Sequence, residues 1–269
     1  MQGRVLIIAG SDSGGGAGIQ ADIKTVTALN GFAMTAITAL TAQNTLGVHG
    51  VHEVPEAFIT QQIETVLEDL GADVIKLGML HRTSVIHAVA DALERLAPDV
   101  PIVLDPVMVA KGGHSLLEAD AMAALKDRLV CKARLLTPNV PEAEALCGVK
   151  IDNVEDMAVA GDKLARLGAQ AVLVKGGHMD GETVTDVLWQ DGARPEILNG
   201  PRINTQHTHG TGCTLASAIA CGLAQGMELS VAVKRARAYV LEAINTAPGF
   251  GHGHGPLNHA HTVRDFPEN

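Results

Sequence analysis

The sequence predicts an α/β fold in which a mostly parallel β-sheet is covered by helices on both faces. Short apolar runs rich in β-branched residues alternate with longer amphipathic runs along most of the 269 residues. Such alternation implies right-handed crossover connections, which place successive strands parallel to one another. A chain of this length can form one compact unit, so we expect a single domain over residues 1–269.

The first part of the chain contains three strand–helix pairs. VLIIAG is followed by GIQADIKTVTAL, FAMTAITAL by PEAFITQQIETVLEDL, and DVIKLG by TSVIHAVADALERL. Three further predicted strands, PIVLDP, ARLLTPN and AVLVKGG, each precede polar or glycine-rich turns. These runs supply the strands of the predicted parallel sheet.

The pattern changes after the strand AVLVKGG. ETVTDVLW and RPEILN lie beside the turn-forming dipeptides Asp180–Gly181 and Asp191–Gly192, so we predict a β-hairpin added to the sheet. Two helices, at residues 212–225 and 229–246, are predicted to close the fold.

Composition argues against several classes of partner. The formal net charge is −10 and the basic residues form no run, which disfavours binding to DNA or RNA. No apolar stretch approaches the roughly 18 residues needed to span a membrane, so we expect a cytoplasmic protein. The four cysteines, Cys131, Cys147, Cys213 and Cys221, form no CxxC pair, and we expect reduced thiols.

Candidate site residues follow from the predicted sheet. Ligands of open α/β sheets bind beyond the carboxyl ends of the strands, so residues directly after each strand have priority. These candidates are residues 10–16, Gln43, Gly78–Met79, Asp105–Val107, Thr137–Asn139 and Lys175–Gly177.

Two glycine-rich segments offer different chemistry. GSDSGGGAG resembles a dinucleotide-binding turn, but Gln43 stands where an acidic residue is expected, which makes a NAD-dependent oxidoreductase a remote alternative. No GxxxxGK[ST] motif occurs. In HGTGC, the backbone N–H groups of Gly210, Thr211 and Gly212 can converge at a predicted helix N-terminus and bind an anion. The alternative is a glycine-rich loop that simply starts a buried helix.

Three charged residues lie near the ends of predicted strands. Lys175 ends AVLVK, where an unpaired buried charge would be costly, so an anionic partner is expected. Asp105 and Glu142 supply carboxylates that, together with water and phosphate oxygens, suit Mg²⁺. For Glu142, a solvated carboxylate or a role at a helix N-terminus is the alternative.

Eight segments form an ordered set along the chain: IAGSDSGGGAGIQADIKT, TALTAQNT, KLGML, LDPVMVAKGG, TPNVPEAE, VLVKGGH, THGTGC and GHGPLNH. Together they resemble the hydroxymethylpyrimidine/phosphomethylpyrimidine kinases of thiamine biosynthesis, a branch of the ribokinase superfamily. The resemblance implies a ribokinase-like fold and ATP-dependent phosphorylation of 4-amino-5-hydroxymethyl-2-methylpyrimidine, followed by phosphorylation of its monophosphate to the diphosphate. It also implies Mg²⁺ and a homodimer.

The resemblance assigns a pyrimidine-binding set. It implies that Gln43 hydrogen-bonds the aminopyrimidine, that Gly10, Met79 and Val107 form the walls, and that Asp12 contributes. An amide offers both a donor and an acceptor for such an edge. The alternatives are a surface polar residue for Gln43 and plain core for Met79 and Val107.

The resemblance also assigns a nucleotide-binding set. It implies that Asn139 and Lys175 contact ATP and that Asp105 and Glu142 serve the metal and phosphate region. The amides of Gly210, Thr211 and Gly212 would bind the transferring phosphoryl group. Phosphoryl transfer depends mainly on positioning and charge stabilisation, which a lysine, Mg²⁺ and helix N-terminal amides supply.

Cys213 is implied as the base that accepts the hydroxymethyl proton. Since a helix N-terminus lowers a thiol pKa, we expect the pKa of Cys213 to fall from about 8.5 toward neutrality. Iodoacetamide should then label Cys213 ahead of the other cysteines. The alternative is a small buried hydrophobe that starts a helix.

Several alternatives remain open from the sequence. Related kinases phosphorylate pyridoxal, so a pyridoxal kinase or a dual-specificity enzyme is the second hypothesis, and a non-catalytic metal- or ligand-binding protein is a further one. The histidines at 252, 254, 259 and 261 have spacings that could chelate a metal. Because their segment is glycine-rich, we favour a loop near the nucleotide end of the site.

Overall fold

The computed structural model describes residues 1–108, 116–117 and 120–263, so the VAKGG end of the LDPVMVAKGG motif lies outside the described residues. The described strands belong to one sheet. They are β1 (Arg4–Asp12), β2 (Phe32–Asn44), β3 (Gly47–Glu53), β4 (Val74–Leu77), β5 (Ile102–Leu104), β6 (Leu135–Leu136), β7 (Ala171–Val174), β8 (Thr183–Gln190) and β9 (Glu196–Pro201).

The sheet has the order β3-β2-β1-β4-β5-β6-β7-β8-β9. The strands from β2 to β7 in this order are parallel to their neighbours. Antiparallel strands occur only at the two sides of the described sheet, where β3 pairs with β2 and the β8–β9 hairpin pairs with β7. The predicted α/β class and mostly parallel sheet are confirmed.

Helices connect the strands and cover both faces of the sheet. They are α1 (Gly18–Ala28), α2 (Glu56–Asp69), α3 (Thr83–Leu96), α4 (Ala121–Ala124), α5 (Val140–Cys147), α6 (Val154–Ala165), α7 (Thr211–Ala224) and α8 (Leu229–Asn245). Each helix within the described ranges is too short or too polar to cross a membrane.

Two hydrophobic cores lie on opposite faces of the sheet because side chains alternate along each strand. In β1, Leu6 and Ile8 pack into the core formed with α2 to α6. Val5 and Ile7 pack into the core formed with α1, α7 and α8. All four side chains are fully buried, which explains why β1 is a continuous apolar run.

The predicted hairpin is confirmed as β8–β9, and both predicted closing helices agree with α7 and α8 to within one residue at each end. Strand β3 was not predicted. Its sequence, GVHGVHE, lacks an alternation of apolar residues and lies at a partly exposed edge, so tertiary pairing with β2 determines its conformation. Helix α6 was also missed, and α5 was anticipated only through the alternative of a helix N-terminus at Glu142.

Candidate active site

A cavity of about 940 Å³ lies at the carboxyl ends of the parallel strands. It is lined by all thirteen residues to which the resemblance gave a role, whereas several other candidates at strand ends, among them Gly78, Thr137 and Gly176, do not line it. The thirteen are Gly10, Asp12, Gln43, Met79, Asp105, Val107, Asn139, Glu142, Lys175, Gly210, Thr211, Gly212 and Cys213.

The HGTGC segment forms the turn that begins α7. Gly210 caps the helix in a left-handed conformation, with φ of 82°. A Cβ at this position would collide with the backbone carbonyl of Gly16, so glycine is required for both reasons. A Cβ on Gly212 would lie 3.4 Å from Lys175 Nζ and 3.5 Å from Asp105 Oδ2. The helix N-terminus is therefore adjacent to the charged groups of the cavity.

Lys175 and Asp105 form an ion pair directly after β7 and β5. Lys175 Nζ lies 2.8 Å from Asp105 Oδ1, and the two side chains are only 13% and 3% exposed. Thr137 Oγ1 donates to the same carboxylate oxygen at 3.1 Å. Burial alone would lower the pKa of Lys175, but Asp105 and Glu142 raise it above its ordinary value. Lys175 is thus a fixed cation in the cavity.

Asn139 and Glu142 form a reciprocal cap at the start of α5. Asn139 Oδ1 accepts from the N–H of Glu142 at 2.9 Å, and Glu142 Oε2 accepts from the N–H of Asn139 at 2.8 Å. The helix N-terminal alternative for Glu142 is therefore confirmed. Burial raises the pKa of Glu142 to about 7, with Asp105 adding to the rise and Lys175 opposing it.

Asp12 organises the glycine-rich loop after β1. Its carboxylate accepts from the N–H groups of Gly14 at 2.8 Å, Gly16 at 3.1 Å and Ala17 at 2.8 Å. His209 Nε2 lies 2.9 Å from Asp12 Oδ2. Burial would raise the pKa of Asp12, but the hydrogen bonds from His209 and the backbone outweigh it and lower that pKa. These contacts indicate that Asp12 holds the loop in place.

Gln43 lies near the end of β2, beside this loop. Its side-chain Oε1 accepts from Thr41 Oγ1 at 3.1 Å, and its Nε2 lies 3.4 Å from His209 Nε2. Its backbone N–H donates to Ser13 Oγ at 2.9 Å. The amide is therefore held at the cavity wall by neighbours on both sides.

Met79 and Val107 belong to a small apolar cluster that is separate from the two main cores. The cluster consists of Ala39, Met79 and Leu116, with Val51 and Val107 packed against it. A Cβ on Gly10 would collide with Met79 Cε, so the glycine creates the space that this side chain occupies. Met79, Val107 and Leu116 of this cluster form an apolar wall of the cavity, which Gln43 also lines.

The expected low pKa of Cys213 is wrong. Burial raises the pKa of its thiol to about 12, opposed by Lys76 and reinforced by Asp22 and Asp105. Burial and two carboxylates thus outweigh the helix N-terminus. The expected preferential labelling by iodoacetamide loses its basis, because a protonated thiol alkylates slowly. All four cysteines are free thiols, as predicted.

Sequence reasoning missed three polar residues at the cavity: Lys76 and His209, which line it, and Asp22, which pairs with Lys76. Lys76 and Asp22 form an ion pair with Nζ 2.9 Å from Oδ2, and both side chains are 0% exposed. His209 connects Asp12 to Gln43, as described above. The signal for Lys76 was present, since a lysine within the apolar strand DVIKLG is as costly to bury as Lys175.

The histidine-rich segment does not form a chelating cluster. His259 Nε2 pairs with Thr214 Oγ1 at 3.0 Å, whereas His261 Nε2 pairs with the carbonyl of Tyr239 at 3.1 Å. The backbone N–H of His254 donates to the carbonyl of Thr45 at 2.9 Å. Within the described ranges, no group of three His, Cys, Asp or Glu side chains could hold a metal ion. The segment instead borders a second cavity, of about 310 Å³, beside the glycine-rich loop and Asn44. It therefore lies toward the Gln43 end of the site, and the expected position near the nucleotide end is wrong.

Comparisons with known proteins agree with this geometry. A family model described as phosphomethylpyrimidine kinase matches residues 12–258. The thiamine biosynthesis bifunctional protein ThiED of Geobacter sulfurreducens is 51% identical over 267 residues, which cover 98% of this chain but 54% of that protein. The hydroxymethylpyrimidine/phosphomethylpyrimidine kinase of Bacillus subtilis is 48% identical, with 95% of this chain and 94% of that protein covered.

A solved structure extends the comparison to the fold. The ADP complex of Bacillus subtilis pyridoxal kinase superposes with a TM-score of 0.89 at 36% identity, covering 97% of this chain and 98% of that one. The fold is thus that of the ribokinase-like vitamin kinases, and ATP is the supported phosphoryl donor. Neither an oxidoreductase nor a non-catalytic binding protein finds support. The chain is a phosphotransferase that belongs to the phosphomethylpyrimidine kinase family.

Proposed function

We propose that the protein phosphorylates 4-amino-5-hydroxymethyl-2-methylpyrimidine with ATP and then phosphorylates the monophosphate to the diphosphate. The observation that carries the proposal is that the 940 Å³ cavity is lined both by the uncharged Gln43 and Met79, which we call its neutral end, and by Lys175 and the N-terminal turn of α7 at Gly212, which we call its charged end. The neutral end suits a small aromatic alcohol, and the charged end with its cation and backbone N–H groups suits a triphosphate. The names of the relatives support the same substrate.

The neutral end provides the pyrimidine site. Gln43 can satisfy both a donor and an acceptor on the ring, and Gly10, Met79 and Val107 can flank its faces. Asp12 acts on the substrate through the loop that it holds, because its oxygens accept internal hydrogen bonds. Ring recognition therefore depends on one amide and apolar shape.

The charged end provides the nucleotide site. Asn139 and Lys175 are paired by a β-bridge, so the helix cap and the cation are held in fixed register. The N–H groups of Thr211 and Gly212 lie in the first turn of α7, where the helix dipole favours phosphate. Lys175 and these amides stabilise the negative charge that shifts during transfer.

Asp105 and Glu142 are suited to hold Mg²⁺ together with the phosphates of ATP. The negative charge of Asp105 raises the pKa of Glu142, so the two carboxylates repel each other. A divalent cation bound between them would remove this repulsion. Two carboxylates with phosphate and water oxygens satisfy the usual preference of this ion. Bound Mg²⁺ would neutralise phosphate charge at this position.

Cys213 is the proposed base. It lies in the first turn of α7 and lines the cavity beside Gly212. Since burial keeps the resting thiol protonated, this role requires that Cys213 become a thiolate when the substrates are bound. The thiolate would then accept the hydroxymethyl proton as the oxygen attacks phosphorus.

The second candidate function is a pyridoxal or dual-specificity kinase. The close superposition on a pyridoxal kinase favours keeping it. A substrate panel with ATP and Mg²⁺ tests both functions and compares the pyrimidine alcohol, its monophosphate, pyridoxal and ribose. We expect turnover of both pyrimidines, whereas phosphorylation of ribose alone, or of none of the four, contradicts the proposal.

We also propose that residues 1–269 form a single domain, that two copies of the chain form a homodimer, and that the protein is cytoplasmic. The exposed side chains of Leu40 and Leu46, at 43% and 64% exposure, lie in and just after β2. Beside them β3 leaves one side of its backbone unpaired by another described strand. Such an edge is commonly covered in proteins. Light scattering should give twice the mass of the 28.0 kDa chain, and a monomer at micromolar concentration would contradict the dimer.

A further inference from the structure

A buried ion pair at the base of the cavity has no role in the functions assigned above. Lys76 in β4 donates to Asp22 in α1, at 3.0 Å to Oδ1 and 2.9 Å to Oδ2. Both side chains are completely buried. A buried ion pair is weak evidence for stability, because well-packed apolar substitutes are often neutral or stabilising. Another reason for its presence is therefore needed.

The ion pair is connected to the helix face that carries Cys213. Ser217 Oγ donates to Asp22 Oδ1 at 2.6 Å. Cys213 precedes Ser217 by one helical turn in α7, so the two side chains lie on the same face. Lys76 and Cys213 also line the same cavity. The ammonium group is thus held against the first turns of α7.

The KLGML motif makes room for this ammonium group. A Cβ at Gly78 would lie 2.9 Å from Lys76 Nζ and 2.9 Å from the Cβ of Ala9. Real Cβ atoms do not approach other atoms so closely, and one contact is with a β1 residue that is buried. Glycine at position 78 is therefore needed for the position of Lys76.

Charged groups from three elements act on Cys213. Lys76 reaches it from β4, Asp22 from α1, and Asp105 from the end of β5. Burial and the two carboxylates disfavour a thiolate, whereas Lys76 favours it. Burial would also lower the pKa of Lys76, but Asp22, Cys213 and Asp105 keep that pKa above its ordinary value. The ammonium group therefore remains charged and offsets the negative charge of a thiolate.

We propose that Lys76 is a positioning residue for the proton transfer, because its ammonium group stabilises the thiolate of Cys213. The thiolate accepts the hydroxymethyl proton, the substrate oxygen bonds to the γ-phosphorus, and the bond from phosphorus to ADP breaks. The original thiol proton leaves for solvent when the substrates bind, so uptake of the hydroxymethyl proton returns Cys213 to its protonated resting state. Asp22 holds the ammonium group and Ser217 orients Asp22. This inference rests on the proposed role of Cys213 as base.

The test measures Cys213 alkylation and turnover in the same variants. The rate of alkylation by iodoacetamide at a fixed pH, followed by mass spectrometry, reports the thiolate fraction. In Lys76→Met we expect this rate to fall by about tenfold or more, equivalent to one pH unit. The kcat for the pyrimidine alcohol should fall with it, while KM for ATP changes by less than about threefold.

Matched variants separate charge from folding. Lys76→Met leaves Asp22 unpaired, so the double variant Asp22→Asn, Lys76→Met supplies a neutral pair that should fold. Because Asp22 disfavours the thiolate, the double variant is compared with Asp22→Asn alone, and it should show a lower alkylation rate and kcat than that single variant. Lys76→Arg keeps the charge and should restore much of the alkylation rate. Ser217→Ala removes one hydrogen bond to Asp22 but no charge, so its losses should be in the same direction as those of Lys76→Met and smaller.

The outcomes distinguish the role of Lys76 from the role of Cys213. If the folded double variant has the same alkylation rate and turnover as Asp22→Asn alone, Lys76 serves only in packing and the inference fails, whatever Cys213 does. If Cys213→Ala keeps parental turnover, the base assignment fails, and the role of Lys76 in proton transfer fails with it. A parallel loss of alkylation rate and kcat, partly restored by Lys76→Arg, supports the inference.

Discussion

The two ends of the cavity differ in the kind of side chain that each presents to a ligand. The end at Lys175 and Asp105 contains an ion pair that is at most 13% exposed, with Lys76 and Asp22 fully buried beneath it. The end at Gln43 contains an amide and the apolar Met79 cluster. The Gln43 end also holds a buried carboxylate, since Asp12 is 3% exposed beside His209, but its oxygens accept hydrogen bonds from the glycine-rich loop. Buried charge is paired at both ends. We assign a role in stabilising the transferring phosphoryl group only to the charges at the Lys175 end.

Because the two ends differ in this way, substitutions at each end should affect different steps of the reaction. Changes at the charged end should mainly lower the rate, because its groups act on charge that develops in the transition state. Changes at the neutral end should mainly weaken pyrimidine binding, because its groups contact a ring whose charge does not change. Four variants can break or sharpen this division.

Replacement of Cys213 should have the largest effect. We expect Cys213→Ala to lose roughly 10² to 10⁴ in turnover of the pyrimidine alcohol, the usual span for a general base. ATP affinity should change little. The monophosphate should lose less, because a phosphate acceptor, with a second pKa near 6, is already ionised at neutral pH. Rates for both substrates across pH 6 to 9 measure this, and parental rates throughout would reduce the thiol to a packing role.

Lys175→Met should follow in size. Removing one preorganised charge from the transferring phosphoryl group should cost about 10² to 10³ in kcat. The dissociation constant of the pyrimidine, measured by calorimetry, should be nearly unchanged. Equal rates for variant and parent would show that Lys175 serves only to pair Asp105.

Gln43→Leu should have a smaller effect, on affinity rather than on rate. Leaving the ring edge without its partner should cost on the order of 1 to 3 kcal/mol of binding free energy. ATP binding should be spared, which calorimetry with each ligand separately can establish. An unchanged pyrimidine affinity would remove Gln43 from the site.

His259 belongs to neither end, and its replacement should leave activity intact. Burial lowers the pKa of His259 to about 4, with Lys24 and His261 adding to the effect, from an ordinary value of 6.5. Between pH 6.5 and pH 4, His259 is therefore protonated in the unfolded chain but remains neutral in the folded chain. Stability should fall as pH falls from about 6.5 to about 4, by roughly 3 kcal/mol in total for this group.

The matching variant is His259→Gln, whose amide can still pair with Thr214. Urea unfolding at pH 7.5 and pH 5 should show a smaller loss in the variant than in the parent. An identical loss in both proteins would mean that other groups cause the acid sensitivity.

The sequence predicted the residues that line the cavity better than it predicted their electrostatics. Lys175, Asp105 and Glu142 were found because charges after buried strands stand out against an apolar background. The pKa of Cys213 was predicted in the wrong direction because the helix N-terminus was visible in the sequence, whereas burial and the carboxylate of Asp22 were not. Strand β3 was missed for a related reason, since only its pairing with β2 defines it.

The hydrogen bond between Ser217 and Asp22 joins residues 195 positions apart, and the contact of His209 with Asp12 spans 197. A nascent chain therefore cannot assemble the active site until α7 has left the ribosome. By contrast, the Lys76–Asp22 pair spans 54 positions and its partners are synthesised early. Contacts between residues so far apart in sequence form late and slowly. The core between the sheet and helices α2 to α6 can therefore fold before the enzyme becomes active. Activity during synthesis would thus report completion of the chain, and a ribosome stalled before α7 should carry a partly folded, inactive kinase.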